Sequence, residues 1–293
     1  MKAPPFEYFR PATITEAVDL LATQENAKVL AGGQSLMAML NLRYLFPDVL
    51  IDINRIPELA GITISAGKAR IGAMTRQRTI EMDAALRHSA PIFAEAIKLL
   101  GHRQTRNRGT IGGSLCHLDP AAELPTLALL SDAAVEVTGA GGARREIPID
   151  SFIAGFMMPN IDPHEIVTAV ELPLWKPGHG YAFHEFARRH GDFALASAAC
   201  LVERRSDGTI DRVAIAIGGV GSVPQRLRSA ETLLTGSRGD PEAVQAAIER
   251  CSDLEVLGDF HGSADYRLSV ARSMLRKSLG SALSRSSAHG HAA

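Results

Sequence analysis

Ala31-Gly32-Gly33-Gln34-Ser35-Leu36 recurs in nearly the same wording as Thr110-Ile111-Gly112-Gly113-Ser114-Leu115, and in each a serine follows the paired glycines closely. Paired glycines remove Cβ atoms, so main-chain N–H groups can close on an anion and adopt positive φ where a turn requires it. The serine adds a side-chain donor. Either pair alone reads as an ordinary turn. Together they predict a nucleotide diphosphate held from two sides, and neither has the Gly-x-Gly-x-x-Gly spacing of a dinucleotide-binding βαβ unit.

Working outward from the first turn, residues 28–31 predict a strand that runs into it. Ser35 is expected to cap a helix through Leu36, Met39 and Leu40, and Val49-Leu50-Ile51-Asp52-Ile53 is a β-branched strand. This is a β–loop–α–β unit of about 25 residues. Upstream, Thr13-Ile14-Thr15-Glu16 is a capping box opening a helix with Ile14, Ala17, Val18 and Leu21 on its apolar side. Downstream, Pro57 and Gly61 punctuate the chain, and residues 62–64 and 69–73 predict a hairpin around Ala66-Gly67-Lys68, where a second subdomain begins.

Helices are expected over 75–85 and 91–100, the latter closed by Gly101. The basic stretch 101–109 leads into the second glycine turn. Beyond it come an apolar helix over 125–130, a hairpin turning at Gly139-Ala140-Gly141-Gly142, and a strand over 166–172. Pro173-Leu174-Trp175-Lys176-Pro177-Gly178 reads as a domain linker. The last third predicts strands over 194–203 and 210–217 joined at Asp207-Gly208. Helices follow: one with Leu227, Ala230, Leu233 and Leu234, one opening at Asp240-Pro241, and one over 265–283. Gly218-Gly219-Val220-Gly221-Ser222 reads as a plain turn.

The chain has 293 residues, is 46% hydrophobic, and carries 31 basic against 32 acidic residues, for a net charge of −1. That is ample for two or three domains with a sizeable core, and it leaves no electrostatic footprint for nucleic acid or an anionic membrane. No apolar run approaches the roughly 20 residues of a membrane span. Residues 1–7 lack an apolar signal region, and Cys116, Cys200 and Cys251 are odd in number and far apart, so a cytoplasmic location with reduced thiols is expected.

Three further constellations carry candidate chemistry. Cys116-His117-Leu118-Asp119-Pro120-Ala121-Ala122-Glu123 follows the second turn. Its neighbouring Cys and His diverge, which disfavours a metal or a nucleophilic pair, whereas Asp119 and Glu123 suit acceptance of hydrogen bonds from ligand hydroxyls; the bland reading is an Asx-turn and a helix-start charge. Arg188-Arg189-His190-Gly191-Asp192-Phe193 offers cations for a phosphate or a partner carboxylate and an aromatic for a planar ring, or else a solvated strand end. Arg103, Arg106 and Arg108 form a local basic patch fit for phosphate steering, a subunit contact or a solvated loop.

With these residues in view, the chain resembles the FAD-binding (medium) subunits of the molybdenum hydroxylases, the carbon monoxide dehydrogenase medium-subunit and xanthine dehydrogenase flavin-domain family. The resemblance rests on Phe6-Glu7-Tyr8-x-Arg10-Pro11, residues 31–36, Arg106-Asn107-Arg108-Gly109 running into residues 110–115, Asp119-Pro120-Ala121, and Arg188-Arg189-x-Gly191-Asp192-Phe193-Ala194. It implies an α+β chain: a two-subdomain FAD-binding module of the vanillyl-alcohol-oxidase (PCMH) type over 1–175, with subdomains of about 1–57 and 58–175. A C-terminal α+β domain over 178–284 follows, with a small antiparallel sheet and helices, and then a disordered tail over 285–293.

The resemblance further implies FAD contacts from Ala31, Gly32, Gly33, Gln34, Ser35, Leu36, Thr110, Ile111, Gly112, Gly113 and Ser114. Asp119 and Glu123 would meet its hydroxylated portion, and Phe193 would sit beside the isoalloxazine. Relatives often have tyrosine or tryptophan in place of Phe193 and aspartate in place of Glu123. No catalytic acid, base or nucleophile is implied, since the flavin carries the redox step. Three scattered cysteines cannot hold a four-cysteine cluster, so molybdopterin and [2Fe–2S] centres are expected on partner chains. The partners are then a large molybdopterin subunit and a small [2Fe–2S] subunit in a hetero-oligomer, a dimer of heterotrimers being one such assembly. The expected function is electron transfer from the partner cluster through FAD to an external acceptor. The rivals are a self-contained FAD-dependent oxidase and a non-redox nucleotide-binding assembly protein.

Overall fold

The computed structural model describes residues 2–288. Four sheets are present among them. The first has three parallel strands, with Val49–Asp52 at its centre between Glu7–Phe9 and Ala27–Leu30. All four residues of the central strand are buried, as expected for a parallel strand covered on both faces. The helix Ile14–Thr23 covers it with Ala17, Val18 and Leu21, and Thr13 Oγ1 caps the helix by accepting from Glu16 N at 3.2 Å. Glu16 Oε2 reaches back one residue past the cap and accepts from Ala12 N at 2.8 Å, in place of the Thr13 N–H of a regular capping box.

The second sheet is antiparallel throughout, in the order Ile62–Ser65, Lys68–Gly72, Ile166–Pro173, Ala134–Thr138, Arg144–Pro148. The hairpin turns at Ala66–Gly67 and at 139–142 both form, with positive φ at Ala66, Gly67, Gly141 and Gly142. The helix Ile111–His117 packs on this sheet, and with Pro91–Ala96 and Glu123–Leu130 it buries its apolar residues in the largest core. The helix expected over 75–85 divides into Gln77–Met82 and Ala84–Ser89, because Asp83 turns extended and its Oδ1 caps the second piece through Leu86 N at 2.7 Å. The basic stretch is a helix, Arg103–Arg108.

The third sheet is a four-stranded antiparallel layer, Gly180–Phe186, Ala196–Arg204, Ile210–Gly218 and Gln225–Arg226. One face packs on Arg228–Leu234, Pro241–Glu249 and Ala264–Ala288. From its other face Phe183, Ala199, Leu201, Ala214 and Ala216 join the core of the second sheet, so the two units share one apolar interior. The stretch expected as a linker is itself packed. Trp175 is 6% exposed with the Arg212 guanidinium 4.2 Å from its ring centroid. A short ribbon, Ile153–Gly155 with Met158–Pro159, is the fourth sheet.

The last helix runs past its expected end at residue 283 to Ala288, and Arg285 Nη1 donates to Glu95 Oε2 at 2.7 Å. Residues 285–288 of the expected tail are thus helical, and residues 289–293 lie outside the described residues. The helix lies so close to the strand Gly180–Phe186 that a Cβ on Gly180 would collide with the Ala282 carbonyl oxygen. Gly180→Ala is therefore expected to destabilise the chain by about 1–3 kcal/mol or more through forced backbone displacement. Gly141, with φ 65° and no atom within 4 Å of an added Cβ, is expected to cost only about 1–2 kcal/mol as alanine, the left-handed conformational term. Chemical denaturation of the two variants checks the order.

Candidate functional site

The first glycine turn leaves the carboxyl end of the strand Ala27–Leu30, the end at which open parallel sheets place ligands. Gly33 has φ 71°, a conformation that favours glycine. Gly32 is required for a different reason: an added Cβ would collide with the carbonyl oxygen of Arg108, immediately before the second turn. An added Cβ on Gly113 would lie 3.5 Å from Ala31 Cβ. The two turns, about 80 positions apart in the chain, are thus in contact.

Their amides are not equivalent. In the first turn, no acceptor among the described residues bonds the N–H groups of Gly32, Gly33, Gln34, Ser35 or Leu36; the first engaged amide is Met37 N, on Gly33 O at 3.3 Å. Ser35 does not cap the following helix Leu36–Asn41 as expected, since its own backbone is already helical and leaves the hydroxyl unused. In the second turn the amides of residues 111–114 are taken. Ile111 N donates to Thr75 O at 3.3 Å, Gly112 N to Ala73 O at 2.9 Å, Gly113 N to the cap Thr110 Oγ1 at 3.0 Å, and Ser114 N to Thr110 O at 3.1 Å. The sequence-based expectation of free donors on both sides holds for one side. The glycines of the second turn serve close packing instead: an added Cβ on Gly112 would lie 2.6 Å from Ala73 Cβ, and Gly112 and Gly113 keep negative φ in the first turn of Ile111–His117.

Asp119 forms the Asx-turn of the bland reading, its Oδ1 accepting from Ala121 N at 2.9 Å. Glu123 opens the helix Glu123–Leu130, and burial followed by the charge of Glu185 pushes its carboxyl up to about 8. Glu185, on the strand Gly180–Phe186, is pushed up to about 7 by burial, and its Oε2 is buried without a partner. The sequence reading did not single out Glu185. Two carboxyls held up in this way are suited to polyhydroxyl ligands, giving or accepting hydrogen bonds according to protonation.

Phe193 is 70% exposed on the turn between Phe186 and Leu195, whose ends are joined by Leu195 N to Phe186 O at 2.8 Å. Gly191 in that turn has φ 88°, and an added Cβ would lie 2.7 Å from the His102 ring, so the turn sits on the residue that precedes the helix Arg103–Arg108. Arg188 Nη2 donates to His261 O at 2.7 Å. Arg106 does not steer phosphate: it is buried, pairs with Glu81 at 2.9 Å, and donates to the carbonyls of Leu100 and Gly101 at 3.1 and 3.0 Å. Arg103 and Arg108 are exposed. No cluster of metal-ligating side chains occurs among the described residues.

A run of open amides, a glycine floor without side chains and a pair of raised carboxyls fit a nucleotide with a diphosphate bridge and a sugar or polyol. That combination, on a parallel sheet joined to an antiparallel one, suits a nucleotide-binding module. Residues 4–175 match the family described as FAD binding domain in molybdopterin dehydrogenase, and residues 181–282 match the CO dehydrogenase flavoprotein C-terminal domain. The 6-hydroxypseudooxynicotine dehydrogenase complex subunit alpha of Paenarthrobacter nicotinovorans is 40% identical over 97% of each chain. A solved structure of carbon monoxide dehydrogenase from Hydrogenophaga pseudoflava superposes with TM-score 0.94 at 38% identity, covering 97% of this chain and 99% of that one. Quinoline 2-oxidoreductase from Pseudomonas putida 86 gives 0.93 at 33% identity over 98% and 99%. The chain belongs to the FAD-binding medium subunits of the molybdenum hydroxylase family and is an oxidoreductase subunit.

Because burial raises Glu123 and Glu185, the folded chain binds protons there that the unfolded chain has released, so these groups lower stability as pH rises. In the FAD-free chain, the difference in unfolding midpoint between wild type and the Glu123→Gln, Glu185→Gln double variant is expected to shift against wild type between about pH 5 and 8. Parallel midpoint curves would contradict this.

Proposed function

We propose that this medium subunit relays electrons, accepting them from a partner [2Fe–2S] subunit and passing them to an external acceptor, while substrate is oxidised on a large molybdopterin subunit. The observation that carries the reading is the contact between the two glycine turns with the amides of residues 32–36 left open. FAD, when bound, supplies the electron-exchange chemistry. The chain's own residues bind and orient. The amides of Gly32, Gly33, Gln34, Ser35 and Leu36 would hold the diphosphate, with Ala31 and the Ser35 hydroxyl beside them, and Thr110, Ile111, Gly112, Gly113 and Ser114 would form the opposite wall. Ser114 would offer that wall a hydroxyl, since the amides of residues 111–114 are engaged.

Asp119 and Glu123 would meet the hydroxylated portion, and Phe193 would give the flavin ring an aromatic face without a polar handle. Partner chains are supported by the absence of a metal-ligating cluster among the described residues and by relatives named as subunits of complexes. A heterotrimer follows from the three kinds of centre. No described helix is long and apolar enough to cross a membrane, and the three cysteines are free thiols, which supports a cytoplasmic site of action.

Purified full-length chain titrated with FAD is expected to bind one equivalent and develop a bound-flavin spectrum, and to co-purify from its native host with two further chains carrying iron and molybdenum. Failure to bind FAD would overturn the reading. Gly32→Ala, which forces a Cβ onto Arg108, is expected to weaken FAD binding at least tenfold, about 1.4 kcal/mol, with far-UV circular dichroism unchanged. Equilibrium titration by flavin fluorescence measures the change, and a variant that matches wild type would contradict the role given to the turn contact.

A further inference from the structure

The contact between the turns is held by side chains that no motif names. Asn54 lies two residues beyond the buried Asp52 at the end of the central strand. Its Nδ2 donates to the carbonyl of Ala31, the first residue of the first turn, at 2.7 Å. Its Oδ1 accepts from Arg76 Nη2 at 2.6 Å. The other arm of the Arg76 fork, Nη1, donates to the Arg108 carbonyl at 2.5 Å, the same oxygen that Gly32 approaches. One asparagine and one arginine therefore connect the two turns through directional bonds to a carbonyl on each side.

The anchoring continues on both flanks. Asp52 Oδ1 accepts from Asn54 N at 2.8 Å and from Asn54 Nδ2 at 2.5 Å, which fixes the amide's orientation, and Asp52 Oδ2 accepts from the Tyr8 hydroxyl. Arg76 pairs with Thr110 in an isolated antiparallel bridge, and its neighbour Gln77 N donates to Gly109 O at 2.9 Å. Among the described residues Arg76 forms no ion pair with a carboxylate, so a half-buried cation stands between two turns whose inferred ligand is anionic. Its hydrogen bonds go to neutral carbonyl and amide oxygens, which hold the guanidinium in place, while the carboxylate that acts on it, Asp52, stands behind Asn54 beyond ion-pair distance.

We propose that Asn54 and Arg76 form a brace that sets the spacing of the two glycine turns, making them positioning residues for the cofactor's diphosphate. This rests on the FAD reading above. In the brace a fork is required: lysine keeps the charge but loses the planar pair of donors aimed at two separate acceptors.

The test uses full-length chain, deflavinated and then titrated with FAD, in the wild type and the variants Asn54→Ala, Arg76→Ala and Arg76→Lys. Each variant is expected to bind FAD at least tenfold more weakly and release it faster, while the unfolding midpoint of the FAD-free chain stays within about 2 °C of wild type, a loss under 1 kcal/mol. Hydrogen exchange at the amides of Ile111, Gly112 and Gly113 is expected to rise in the FAD-free variants, a local effect that general destabilisation would spread over the core. Wild-type affinity in either alanine variant overturns the brace, as does full rescue by Arg76→Lys, which would leave charge alone as the cause. If wild-type chain takes up no FAD, the functional reading fails, and unchanged exchange in the variants still decides against the brace.

Discussion

The approach of Gly32 to the Arg108 carbonyl is the constraint on which the site depends. There the turn that leaves the parallel sheet meets the end of the helix Arg103–Arg108, in the part of the chain that carries the antiparallel sheet, and the meeting leaves no room for a side chain. The floor it makes is lined by backbone. On one side lies a turn whose amides are unengaged, and on the other a helix start whose amides are fully used in holding itself against Ala73 and Thr75. The division of labour is physical. A turn with open donors needs a rigid neighbour to hold its geometry, and the second turn provides that by engaging the amides of residues 111–114 within its own unit.

The charges follow the same plan. Around the first turn charges of both signs are fixed: Arg76 and Arg108 stand near it, and Asp52, behind Asn54, is held ionised below the ordinary carboxylate range because hydrogen bonds from Tyr8 and Asn54 outweigh the effect of its burial. Farther along, where the chain runs through residues 119–123 and meets the strand Gly180–Phe186, the environment favours protonated carboxyls. A ligand with an anionic bridge and a neutral hydroxylated arm matches that order. The C-terminal unit contributes Glu185 and the turn bearing Phe193, and it shares an apolar interior with the second sheet, so the two units present these groups from one packed body.

What the sequence made legible was local chemistry. Thr13 and Asp240 cap the helices they precede, Pro241 takes a first helical position, and the 139–142 hairpin turns on glycines with positive φ. These depend on near neighbours. The strands Glu7–Phe9 and Gly180–Phe186 were not foreseen, because their short mixed patterns gain strand character only from partners far away in the chain. The same holds within the site. Both glycine turns were readable, whereas Asn54, Arg76 and Glu185 act through contacts across 22 residues or more, and Arg106 reads as a surface cation until Glu81 is placed beside it. The one available signal for Asn54 was its place just past the carboxyl end of a buried strand.

A crystal structure of the full chain with FAD tests the central claim most directly, by showing where the diphosphate lies. The account predicts phosphate oxygens within hydrogen-bond distance of the amides of Gly32 through Leu36, with the turns no farther apart than the Gly32–Arg108 contact allows. Density that places the diphosphate away from this turn, or turns that separate to admit it, would contradict the account.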